Sequence, residues 1–148
     1  MTAVDTDPGT RCVSTTRALR MDAIHRANSG HPGTPMHIAP VDYTFWQWQF
    51  RFDSNDLVWP HRDRFLLAGG RASTLSWSSP HLCGVRALDP GYQVPGTPAA
   101  SLDDLKSARQ PGSKCPVIPG TAGRAAPWQP PARFAGVATP VGMAIAGG

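Results

Sequence analysis

The 148 residues suffice for one modest domain with a core, and the formal charge of +4 rests on 12 arginines and 2 lysines. The arginines are scattered without a run, so a nucleic-acid surface finds no support and a solvated surface is the simpler reading. The ten acids are all aspartate; the three cysteines, Cys12, Cys83 and Cys115, are far apart, with no C-x-x-C or H-E-x-x-H spacing; and no apolar stretch reaches about 18 residues, so the reading expects no metal site, no membrane span and a reduced cytoplasmic chain.

In chain order, residues 1 to 12 read as a disordered lead, polar and without the apolar run of a secretory signal. Ser14, Thr15 or Thr16 can cap a helix running to Asn28, with Leu19, Ala23, Ile24 and Ala27 at helical spacing toward a core. His25 falls beside that stripe and reads as an edge residue. A second helix is expected from Thr34 to Phe50, delayed or bent by Pro40. Its stripe is Ile38, Val41, Phe45, Trp48 and Phe52, widened by Trp46 and Phe50; such a face packs a core or seeks a partner surface. Asp53 to Pro60 is a turn-rich link, and Arg64 to Ala68 reads as a buried strand followed by Gly69 and Gly70. In Leu75 to Leu82, serines 76, 78 and 79 and Pro80 argue against a sound helix, Pro80 alone costing about 3 kcal/mol. Asp89 to Ala100 is a Pro- and Gly-rich loop. Ser101 caps a short helix to Arg109, with Leu102 and Leu105 inward. Residues 117–135 show no periodicity, and Val141 to Ala146 is apolar again.

The stretch that organises the chain is Ser29-Gly30-His31-Pro32-Gly33-Thr34-Pro35-Met36, between the first two helices. Gly30 and Gly33 permit positive φ and the prolines fix φ, so the turn is tight and His31 has a set direction. By local pattern this is either a surface corner or a functional loop. With its flanks, Met21-Asp22-Ala23-Ile24 and Ala27-Asn28, the stretch resembles the N-terminal region of transketolase, the thiamine diphosphate-dependent glycolaldehyde transferase. Three further blocks carry the same resemblance: Trp59 with Arg62-Asp63-Arg64-Phe65 and Leu67; Ser101-Leu102 with Asp104-Leu105-Lys106, Arg109-Gln110 and Gly112-Ser113-Lys114; and Val141 to Ala146. It covers residues 13 to 148, a partial N-terminal domain after the lead. A related deoxyxylulose phosphate synthase shares the Gly-His turn, typically without the proline after the histidine.

The resemblance implies an α/β fold: the incomplete N-terminal portion of a parallel-sheet thiamine diphosphate-binding domain, with helices first and an irregular last third. It implies cytoplasmic pentose phosphate chemistry, sugar phosphate substrates, thiamine diphosphate and magnesium. It gives His31 the role of contacting substrate hydroxyls and assisting proton transfer, for which an imidazole is suited. Arg71 stands where the family has a second histidine and is by position the cofactor-binding candidate; it can bind phosphate oxygens but cannot carry a proton as a neutral base. The family's Gly-Asp-Gly metal motif and Gly-Pro-Leu-Gly-Gln-Gly loop are absent, and the chain has no glutamate to activate the cofactor. The expectation is a truncated, decayed segment without transferase activity of its own. Its rivals are one part of a split transketolase completed by another chain, or an interaction module docking on a full-length homologue. Residues 117–135 are expected to be an out-of-frame relative of the family's cofactor loop.

Overall fold

The computed structural model describes residues 7–65, 67, 70–89, 91–115, 141, 144 and 145. The expected irregularity of residues 117–135 lies outside them.

Helix α1 is Pro8–Ala27, starting six residues before the expected caps and taking residues 8 to 12 out of the lead. The cause is local. Asp7 accepts a hydrogen bond from the Thr10 amide at 2.8 Å, and Pro8 occupies the first turn, where its missing N–H costs nothing. Ala23, Ile24 and Ala27 are buried as expected, but so are Thr16 and Arg20.

The expected second helix is broken into pieces: α2, Gly33–His37; α3, Ala39–Thr44; and a π-helical turn, Phe45–Gln49. Pro40 lies in the first turn of α3, where proline is tolerated. The π turn closes with the Phe50 amide donating to Phe45 O at 2.8 Å, one residue wider than an α-turn. The expected stripe holds only in part. Trp46 lies in the core with Phe50 and Phe52 packed against it, but Val41 and Trp48 are 68% and 72% exposed, and Ala39 and Asp42 face inward instead. Steps of three and four fit both faces; the buried one was disguised because its middle member is an aspartate. Trp46 packs edge-on against Phe50 and Phe52, with ring centroids 4.9 and 5.0 Å away, and Phe65 closes the cluster.

No strand occurs among the described residues. Arg64, Phe65 and Leu67 run in irregular backbone, and the nearest thing to pairing is an isolated antiparallel bridge between Arg86 and Pro98. The described part of the expected α/β portion is helical. A 3₁₀ turn, Gly70–Ala72, leads to α4, Leu75–Leu82.

Helix α4 forms despite Pro80. Its first turn is held by Thr74 O, which accepts from the Ser78 amide at 2.9 Å, and its end by the Cys83 amide donating to Ser79 O at 2.9 Å. The helix is buried from Leu75 to Pro80, so tertiary packing overrides the local penalty. Trp77 joins Trp46, Leu57, Val85, Ala99, Ala100, Leu105, Ala108 and Cys115 in the core. Helix α5, Leu102–Lys106, carries a full capping box: Ser101 Oγ accepts from the Asp104 amide at 3.1 Å, and the Asp104 carboxylate accepts from the Ser101 amide at 2.9 Å. Leu105 is buried, but Leu102 is 47% exposed, against the inward position expected for it.

Candidate functional site

The turn carrying His31 is built at the C-terminal end of α1. Asn28 takes the left-handed conformation at φ 46°, its amide donating to His25 O at 3.0 Å, and ends the helix. Gly30 has φ +134°, and a Cβ there would come within 3.2 Å of Ile24 Cγ2, so both conformation and space demand glycine. Gly33 has no such demand: it begins α2 and faces open space.

Two arginines of α1 hold α2 from one side. Arg17 Nε donates to Met36 O at 3.2 Å, and Arg20 Nη1 donates to Pro35 O at 3.0 Å. The remaining donors of Arg20 reach two other helices. Nε donates to Ser78 Oγ at 2.8 Å and Nη2 to Ser79 Oγ at 2.9 Å, both on α4. Nη2 also pairs with the Asp42 carboxylate of α3, which accepts a further bond from Ser79 Oγ at 2.7 Å. The Arg20 side chain is wholly buried. Burial pulls its guanidinium below the ordinary value, while the Asp42 charge and hydrogen bond push it back up. One guanidinium thus ties α1, α2, α3 and α4 together. Ser78 and Ser79 are ligands of a buried cation rather than gaps in an apolar helix.

From the other side, the segment after α5 reaches the same turn across 80 residues. Arg109 Nη2 donates to Ser29 Oγ at 3.2 Å, and Gln110 Nε2 donates to Ala27 O at 3.5 Å. Arg109 adopts φ +66°, and its amide donates to Cys115 O at 3.0 Å.

His31 follows Gly30 in this turn and is exposed. Arg71 is exposed in the 3₁₀ turn against which α2 packs, so the structure sets the two candidate residues on neighbouring segments. An exposed imidazole on a doubly braced turn can exchange a proton with a bound molecule, and an arginine on the adjoining turn can take phosphate oxygens. Sequence reasoning missed the residues that hold the turn: Arg17, Arg20 and Arg109. Arg109 lay inside a block that matched the family, which was the available signal; Arg17 and Arg20 had none beyond falling one turn apart.

Metal and diphosphate ligands fit less well. Among the described residues no three His, Cys, Asp or Glu side chains converge as a cation site. A groove of about 400 Å³ lies elsewhere, between α1, α3 and α4; Cys12, Tyr43, Trp46 and Cys83 line it and residues 28–36 do not.

The braced Gly-His turn lies within a stretch that comparison with known proteins assigns to a thiamine diphosphate-binding domain. The family model described as "Transketolase, thiamine diphosphate binding domain" matches residues 9–147. Transketolase of Bacillus subtilis (strain 168) is 42% identical over 139 residues, covering 92% of this chain and 19% of its own length. Transketolase 1 of Saccharomyces cerevisiae is 40% identical over 114 residues, covering 77% of this chain and 15% of its own. A crystal structure of a transketolase mutant from Pichia stipitis superposes with a TM-score of 0.65 at 36% identity, over 78% of this chain and 15% of that one. The chain belongs to the transketolase family and corresponds to the N-terminal part of its thiamine diphosphate-binding domain. It spans about a fifth of the length of the curated relatives it matches.

Proposed function

We propose that this chain supplies the substrate-facing N-terminal turn of a transketolase and does not transfer glycolaldehyde by itself. In this reading His31 contacts the hydroxyls of a sugar phosphate and moves a proton near the reacting carbon, and Arg71 holds phosphate oxygens. A relative from Pichia stipitis, a mutant transketolase, has been solved in complex with fructose 6-phosphate, which supports the substrate class. Thiamine diphosphate, when bound, supplies the carbanion-stabilising chemistry of such enzymes. The donor set described here does not fit it: the described residues assemble no cation ligands, and the sequence has neither Gly-Asp-Gly nor glutamate.

The observation that carries the reading is the intact, braced Gly-His turn, with no cluster of cation ligands among the described residues. Val41 and Trp48, exposed on the outer face of α3 and the π turn, support a surface that further polypeptide covers, whether from the same chain or another. The test is calorimetry of the purified 148-residue chain with thiamine diphosphate and magnesium, alongside a transfer assay with sugar phosphate donor and acceptor. The expected result is neither binding nor turnover. Micromolar binding of the cofactor would contradict it.

A further inference from the structure

From the contact between the segment after α5 and the 28–31 turn, we infer that Arg109 is a positioning residue: its guanidinium latches the turn and so fixes the direction of His31. The inference rests on the proposed reading of that turn as substrate-facing.

Three observations converge on Arg109. Its Nη2 donates to Ser29 Oγ at 3.2 Å, and its Nη1 lies 3.6 Å from where a Cβ of Gly30 would stand, so the guanidinium covers the two residues before His31. Its neighbour Gln110 donates to Ala27 O, the last residue of α1, so the pair meets the helix end where carbonyls lack partners. A cation there also faces the negative end of the α1 dipole. Finally, the backbone of Arg109 is built to deliver this contact. It holds φ +66°, a conformation costly for a residue with a Cβ, and the loop enforces it: the Arg109 amide donates to Cys115 O at 3.0 Å, Ser113 Oγ lies 3.1 Å from Ser107 Oγ, and the Cys115 amide donates to Ser113 Oγ at 3.0 Å. Cys115 itself is buried in the core, which anchors the loop. Arg109 Nε is shielded and has no hydrogen-bond partner among the described residues. The guanidinium thus forgoes one bond while its terminal nitrogens face the turn.

Arg17 and Arg20 brace α2 on the far side of His31. The turn is held at both ends by different elements, and only the Arg109 end lies at the residues immediately before the imidazole. Removing it leaves α2 docked but frees Ser29 to Pro32.

The experiment is backbone amide NMR relaxation of the full 148-residue chain, without cofactor or substrate, comparing wild type with Arg109→Asn and Ser29→Ala. Asparagine tolerates the left-handed backbone, so Arg109→Asn removes the guanidinium while sparing the loop. The expected result is a fall in order parameter at Ser29, Gly30, His31 and Gly33 from about 0.85 to about 0.6 or below in Arg109→Asn, with α1 and α4 unchanged. Ser29→Ala is an exposed substitution that leaves folding intact, and it should lower the order parameters of the same turn by a smaller amount. The His31 ring resonances should broaden or move in both variants and stay put in Arg51→Ala, a surface control. Wild-type order parameters at Ser29, Gly30, His31 and Gly33 in a folded Arg109→Asn or in Ser29→Ala would overturn the latch. Because no turnover is read, a chain that never takes part in glycolaldehyde transfer can still show the latch, and a failed latch leaves the substrate reading to its own test.

Discussion

The buried side of α3 and its π turn meets the rest of the molecule in two ways. At Trp46 the contact is aromatic: an indole packed edge-on between Phe50 and Phe52. One turn earlier, at Asp42, it is ionic: a carboxylate shared between Arg20 and Ser79. The aromatic region gains from every apolar atom removed from water and tolerates imperfect geometry. The ionic region gains only if all partners are present, because each charge taken from water is expensive unless fully paired. Adjacent stretches of one helix therefore respond differently to damage: the first loses stability in proportion to lost contact, the second collapses when one member leaves.

The largest expected effect breaks the ionic region. Arg20→Met leaves the Asp42 carboxylate buried with Ser79 as its only remaining side-chain partner described here, and should cost about 4 kcal/mol in chemical denaturation. Trp46→Ala, in the aromatic region, should cost about 3 kcal/mol. Its loss should be eased in Trp46→Phe, whereas Arg20→Lys should recover little, since an ammonium cannot span three elements in the fork geometry of a guanidinium.

The smallest effect separates both regions from the core beneath them. Burial pushes the Cys83 thiol up to about 11 and the Cys115 thiol up to about 12, from an ordinary value of 9.0. Both values are raised in the folded state, so the folded chain keeps its thiol protons where the unfolded chain loses them. The contribution is complete below pH 9.0 and is lost as pH rises through the folded values. Allowing for partial exposure, stability should fall by about 1 kcal/mol between pH 9 and pH 10. Over the same range the exposed Cys12 should react with a thiol reagent well before the other two, and Cys83→Ser with Cys115→Ala should flatten the alkaline fall.

The same contrast explains what could be read in advance. The α1 stripe, the Ser101 cap and the Gly-His turn follow from local rules, since each is set by neighbours within a few residues. The early start of α1 was also local, written in Asp7 and Pro8, but the threonines further on matched the cap pattern as well. The face of α3 was not legible, because Asp42 reads as a surface residue until Arg20 is placed beside it. Likewise Ser78, Ser79 and Pro80 read as damage to α4 until the buried guanidinium and the surrounding core are seen to hold the helix. At Arg64 to Ala68 the apolar run was legible but its pairing was not: the described residues Arg64, Phe65 and Leu67 lie in irregular backbone, and pairing is a property of two segments. In the candidate site, His31 and its glycine were visible as a motif, while the arginines that brace the turn act over distances of up to 80 residues and leave no periodic trace.

The most direct test of the ionic hub that positions α2 is a double-mutant cycle on Arg20 and Asp42, using Arg20→Met, Asp42→Leu and the two combined, read by chemical denaturation. The account predicts strong non-additivity: each single variant should be markedly destabilised, and the double variant should be more stable than Arg20→Met alone, with a coupling energy of about 2 kcal/mol or more. Single effects that add to within about 0.5 kcal/mol would contradict it, and would mean that the two side chains share the interior without holding the helices together.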